Sequence, residues 1–155
     1  MVWEELKESL IAIGLEAKNY EEVMTKLGGM LTEQGYTKDS YVEALIKREG
    51  EFPTGLDIDG VGVAIPHTDV AHVNQAATAI ATLEEPVEFI QMGTDDEPVK
   101  TKLIFMLAVD DPKGHLEQLQ RIIAIIQDKE VLQKLVETKE EHTIIEIIKE
   151  KEKQL

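Results

Sequence analysis

Residues 102–109 read KLIFMLAV. A run this apolar, with no polar alternation, cannot be a strand with one wet face. It has to be covered on both sides, as a central strand between two layers of helices. The flanking patterns supply those layers. Residues 8–14, ESLIAIG, predict a first short strand. Residues 19–35 predict a helix with Val23, Leu27, Met30 and Leu31 on one face, Asn19 as cap with Glu22 three residues on, and Gly35 as stop. A second helix is expected from about Asp39 to Glu49, with Tyr41, Val42, Leu45 and Ile46 as its apolar face and Gly50 as its end.

FPTGLDIDG then reads as a turn-rich connection. It leads into a short strand in which Val61, Val63 and Ile65 alternate with Gly62 and Ala64. Residues 76–83 predict a strand with a hairpin partner around Val87–Ile90. After the central strand, a helix is expected from His115, carrying Leu116, Leu119, Ile122, Ile123 and Ile126 on one face. Two more follow at about 129–138 and 140–153. The order β-α-α-β-β-β-α-α-α predicts one α/β domain over 1–155, a mixed sheet flanked by helices. At 155 residues, with 43% hydrophobic content, such a domain can bury a substantial core.

Charge and composition narrow the function classes. There are 16 basic against 31 acidic residues, a formal charge of −15. That disfavours nucleic acid and anionic membrane surfaces as partners and suits encounter with a basic-faced protein. With no cysteine, thiol catalysis and thiolate metal sites are excluded. The acidic N-terminus does not read as a signal peptide, and no apolar stretch reaches the ~18 residues of a membrane span. A cytoplasmic protein without membrane insertion is the expectation.

Two of the four histidines stand where chemistry is expected. His67 follows Pro66 at the end of the Val61–Ile65 strand, and His115 follows the central strand through the loop DDPKG. Ligands of α/β sheets gather beyond the carboxyl ends of strands. If the two strands are parallel neighbours, the imidazoles converge. His115 also falls in the first turn of a helix, where free N–H groups and the dipole favour an anion. Arg48 offers a positive fork suited to phosphate. Two imidazoles, a guanidinium and a helix N-terminus describe an anion site, and a neutral imidazole within it describes phosphoryl transfer through a phosphohistidine. The bland alternatives are a hydrogen-bonded histidine at a strand end and a surface pairing of Arg48 with Glu43, Glu49 or Glu51. His142 reads as a surface residue. A metal site of His67, Asp69 and His72 is disfavoured by their spacing, which turns the two histidines to opposite faces of a strand.

The segment IKREGEFPTGLDIDGVGVAIPHTDV resembles the enzyme IIA domains of the bacterial sugar phosphotransferase system (PTS), fructose/mannitol superfamily. It carries Arg48-Glu49, then Thr54, then Ala64-Ile65-Pro66-His67, and KLIFMLAVDDPKGHLEQLQ supplies the second histidine, His115. REGEFPTGL looks most like the galactitol-type branch. The resemblance implies a cytoplasmic phosphotransferase component. It would take phosphoryl from the carrier HPr onto His67 and pass it to enzyme IIB of a sugar or hexitol permease. His115 would hydrogen-bond the phosphoryl group or orient the nucleophile, Arg48 would neutralise its charge, and Thr54 would add a supporting hydrogen bond. No cofactor or metal is implied. Related domains also act as free-standing regulators of the nitrogen type, which is the alternative reading.

Overall fold

The computed structural model describes residues 1–155. Its strands are β1 (Ile11–Leu15), β2 (Gly55–Ile58), β3 (Val61–Ala64), β4 (Ala77–Ile90) and β5 (Pro98–Ala108). Its helices are α1 (Tyr20–Glu33), α2 (Tyr41–Glu51), α3 (Pro112–Ile126), α4 (Lys129–Glu137) and α5 (Glu141–Glu152). The strands form one mixed sheet in the order β1-β4-β5-β3-β2, which puts the apolar run of β5 in the middle. β1 and β4 are parallel, as are β3 and β5; β4–β5 and β2–β3 are antiparallel.

The unbroken hydrophobicity of β5 has the cause expected of it. Ile104, Met106 and Ala108 enter one core with Val23, Leu27 and Leu31 of α1 and Tyr41 and Leu45 of α2. Leu103, Phe105 and Leu107 enter the other, with Ile122 and Ile126 of α3, Leu132 and Leu135 of α4, and Ile144 and Ile148 of α5. Successive strand residues point to opposite faces, so a strand between two helical layers needs apolar side chains at every position.

Five local expectations need correction. The first strand begins at Ile11, because Glu8–Leu10 form a 3-10 turn. The second helix runs through Gly50 to Glu51 and stops at Phe52, where Pro53 disfavours the helical conformation of the preceding residue. The turn-rich stretch holds a strand, β2, joined to β3 by a two-residue hairpin. Asp59 (φ 51°) and Gly60 (φ 91°) both take the left-handed conformation that such a turn requires. Val87–Ile90 is no hairpin partner of 76–83 but the second half of β4. The strand bulges between Thr82 and Val87, with Glu84, Glu85 and Pro86 exposed, and both halves pair with β5. α3 also begins three residues before His115, at Pro112.

β3 reaches β5 through an irregular register: Gly62 faces Thr101, while Val63 faces Leu103. At this bulge the Gly62 backbone lies so close to the Lys100 carbonyl that any Cβ would collide with it. The spacing that sets β3 beside β5 therefore demands glycine. Gly62→Ala is expected to destabilise the fold by about 1–3 kcal/mol through overpacking. Urea unfolding of the variant beside the parent protein checks this.

Candidate functional site

β3 and β5 are parallel neighbours, so their carboxyl ends open on the same rim of the sheet. The chain leaves β3 through Ile65 and Pro66, and Pro66, lacking an N–H, takes no further part as a ladder donor. Its carbonyl is held instead by the Leu107 N–H of β5, at 2.9 Å. His67 comes next. From the other strand, Asp111 caps α3 by accepting from Lys113 N (3.2 Å), and His115 sits in the first turn. The two imidazole centroids are 4.5 Å apart with planes tilted by 47°. With Arg48, Thr68, Asp69, Val70, Val109 and Pro112 they line an open cleft of about 270 Å³.

His67 Nδ1 lies 2.9 Å from the Ile65 carbonyl oxygen. A carbonyl only accepts, so Nδ1 carries the hydrogen, and in the neutral ring Nε2 holds the free lone pair. His115 is the converse. Its Nδ1 is buried without a hydrogen-bond partner. A bare lone pair is cheaper to bury than an unmatched N–H. The neutral ring therefore carries its hydrogen on Nε2, the nitrogen that is not buried. One imidazole offers a lone pair and the other a donor. Burial, above all, lowers the pKa of His67; the bond to Ile65 opposes this and Arg48 adds to it. His115 is lowered by burial, then by His67 and Arg48. Both rings are thus held neutral near pH 7.

Arg48 is exposed in the last turn of α2, its guanidinium 4.6 Å from the centroid of the Phe52 ring. No carboxylate lies within 4.0 Å of it, so the surface pairings with Glu43, Glu49 and Glu51 do not form. Glu49 turns inward. It is 5% exposed and accepts from Thr54 N at 2.7 Å and from Thr54 Oγ1 at 2.9 and 3.1 Å. Thr54 Oγ1 in turn accepts from Ile65 N at 3.2 Å. Burial pushes the Glu49 carboxyl up to about 7 against the pull of the Thr54 bonds.

The structure thus brings Arg48, His67 and His115 to one cleft and leaves Thr54 out of it, bonded beneath the strand end. The α3 terminus supplies less than expected. Pro112 has no N–H, Asp111 occupies Lys113 N, and His115 N is bonded to the Asp111 carbonyl at 2.9 Å. His72 bonds the Ser40 hydroxyl at 2.8 Å, and Asp69 accepts from Ala71 N, so neither converges with His67. His142 is exposed beside Glu140. Two participants escaped the sequence reading: Glu49, treated there only as a partner for Arg48, and Thr68, a wall of the cleft. The Glu-x4-Thr spacing across the turn was the available signal for the first.

In an NMR titration, His67 and His115 are expected to protonate below the ~6.5 of a free imidazole, and Arg48→Ala to raise both midpoints. Glu49 gives a second pH test. Its folded pKa lies above the unfolded value, so its contribution to stability is full below about 4.5 and is lost as pH rises through about 7. Relative to the parent, Glu49→Gln should gain stability across that window. Parallel slopes of the two proteins' stability with pH would contradict this.

Comparison with known proteins establishes the family of the chain. The family model described as "Phosphoenolpyruvate-dependent sugar phosphotransferase system, EIIA 2" matches residues 4–151. The galactitol-specific EIIA component of the PTS of Escherichia coli K12 is 30% identical over 123 residues, 79% of this chain and 81% of that protein. The nitrogen regulatory protein IIA-Ntr of Neisseria meningitidis superposes with a TM-score of 0.75 at 28% identity, covering 95% of this chain and 98% of that one. The mannitol enzyme IIA from Escherichia coli, in complex with phosphorylated enzyme IIB, shares the fold. Its TM-score is 0.76 at 23% identity, over 92% and 96% of the two chains. With a family match over residues 4–151 and a 30% identical relative covered over most of its length, the chain belongs to the EIIA 2 family of the phosphoenolpyruvate-dependent sugar phosphotransferase system.

Proposed function

We propose that this protein is a cytoplasmic phosphocarrier whose His67 Nε2 accepts a phosphoryl group from HPr and hands it to an enzyme IIB. The observation that carries the reading is the Nδ1 hydrogen bond from His67 to the Ile65 carbonyl, which leaves Nε2 as the nucleophile beside His115 and Arg48. In the first step the Nε2 lone pair attacks phosphorus. The P–N bond forms as the bond to the donor breaks, and the donor keeps that electron pair. In the second step the acceptor's nucleophile attacks, and the lone pair returns to Nε2. Charge on the equatorial oxygens is stabilised by positioned donors: His115 Nε2–H and the Arg48 guanidinium, which no protein carboxylate neutralises. Depressed imidazole pKa values keep the nucleophile unprotonated without outside help.

Phe52 is an exposed apolar side chain against Arg48, and Val70 lines the cleft itself. They give an otherwise acidic protein an apolar edge at the site, a surface suited to partners with an apolar centre and a basic rim. Likeness to the galactitol-specific component favours a hexitol system as the destination of the phosphoryl group. Likeness to IIA-Ntr favours, as a second reading, a regulator whose phosphorylation tunes binding to a non-transport protein. A pull-down with the phosphorylated and unphosphorylated forms separates them: an enzyme IIB partner supports the carrier, a non-transport partner the regulator.

With phosphoenolpyruvate, enzyme I and HPr, the protein should gain one phosphate by intact mass, mapped to His67 under mild alkaline conditions. His67→Ala should take none. His115→Ala and Arg48→Ala should accept it, but about 10²-fold more slowly. Full phosphorylation of His67→Ala would overturn the assignment.

A further inference from the structure

We infer that Glu49 and Thr54 are positioning residues for the transfer, acting through the Ile65 peptide on the His67 ring. The inference rests on the proposal that His67 is the nucleophile, and it gives Thr54 a role away from the phosphate. β3 ends at Ala64, paired with Gly55 of β2. The next N–H, that of Ile65, belongs to a fully buried residue and has no ladder carbonyl to receive it. The Thr54 side chain takes that place at 3.2 Å.

A hydroxyl has one hydrogen. Here that hydrogen is committed to the Glu49 carboxylate, at 2.9 and 3.1 Å, so towards Ile65 the oxygen can only accept. When ionised, the carboxylate is acceptor-only, and it takes Thr54 N at 2.7 Å as well. Donor direction thus runs one way, from Ile65 N to Thr54 Oγ1 to Glu49. On the far side of the same residue, the Pro66 carbonyl is fixed by Leu107 N at 2.9 Å. The Ile65 carbonyl lies between these two clamps, and it is the group that holds the hydrogen of His67 Nδ1 at 2.9 Å. Its aim decides which imidazole nitrogen faces the cleft.

A side chain serving only to fill the space under β3 would be apolar, because a carboxyl 5% exposed costs desolvation that the three Thr54 contacts only partly offset. Arg48 and Glu49 are adjacent in the last turn of α2 yet face apart, one to the cleft and one beneath it. The same helix end thereby addresses the phosphoryl site directly and the nucleophile indirectly.

The test reads the His67 tautomer from imidazole ¹⁵N shifts of the unphosphorylated protein, together with the rate of phosphorylation by HPr. The parent protein and Thr54→Ser, which keeps the hydroxyl, should both show hydrogen on Nδ1 and the same rate. Thr54→Val should show a mixture of tautomers and a rate at least about tenfold lower, with an unchanged circular dichroism spectrum. Should Thr54→Val not fold, Glu49→Gln carries the test. Its amide puts an N–H donor where one carboxylate oxygen accepts from Thr54, which loosens the anchor under Ile65 N, so the tautomer mixture and the slower rate should appear there. A folded Thr54→Val or Glu49→Gln with the parent's tautomer overturns the inference, leaving the pair a structural staple. If the parent protein takes no phosphate at all, it is the carrier reading that fails, and the ¹⁵N measurement still decides the positioning claim.

Discussion

In the proposed transfer His67 acts as a nucleophile from Nε2 only while its Nδ1 keeps a hydrogen, and the Ile65 carbonyl at 2.9 Å is what keeps it there. Much of the architecture serves to place that carbonyl. Pro66 ends β3 at a defined point, Leu107 N anchors the next carbonyl, and the Thr54 hydroxyl anchors the preceding N–H. β5, buried on both faces, supplies the rigid side of this arrangement. Its neighbour β3 is drawn close at Gly62, where no side chain would fit. The site therefore inherits its precision from the sheet rather than from its loops.

The same parallel pairing makes the second imidazole useful. Strands β3 and β5 deliver their following loops to one rim, so residues 48 positions apart in sequence come within 4.5 Å, ring to ring. The rings differ in how they are held. One has its Nδ1 hydrogen bonded by a carbonyl; the other has its Nδ1 buried without a partner. Mutual proximity, burial and Arg48 all disfavour a charge on His115, and burial and Arg48 disfavour it on His67. Two neutral rings with opposite hydrogen-bonding faces are a workable pair for receiving and releasing a phosphoryl group.

The layered fold was readable because KLIFMLAV admits few alternatives, and the helices because their apolar residues recur at helical spacing. β2 was hidden by Pro53 and Gly55, which read as turn residues, although the Asp59-Gly60 pair was a hairpin signal in its own right. The bulge in β4 was mistaken for a turn because Glu84, Glu85 and Pro86 are what a turn usually contains. His67, His115 and Arg48 were legible from strand ends, a helix end and the resemblance they support. Their convergence still depended on β3 lying beside β5, a pairing that no local pattern encodes. Glu49 was missed for a related reason. Neighbouring residues on a helix point about 100° apart, and only tertiary packing decides which of Arg48 and Glu49 turns inward.

The most direct test of the account is to phosphorylate ¹⁵N-labelled protein and read, from ¹⁵N–³¹P coupling, which nitrogen of His67 bears the phosphorus. The account predicts Nε2, with Nδ1 still hydrogen-bonded to the Ile65 carbonyl. Phosphorus on Nδ1 would mean that this hydrogen bond breaks before transfer, and would contradict the claim that it sets up the nucleophile.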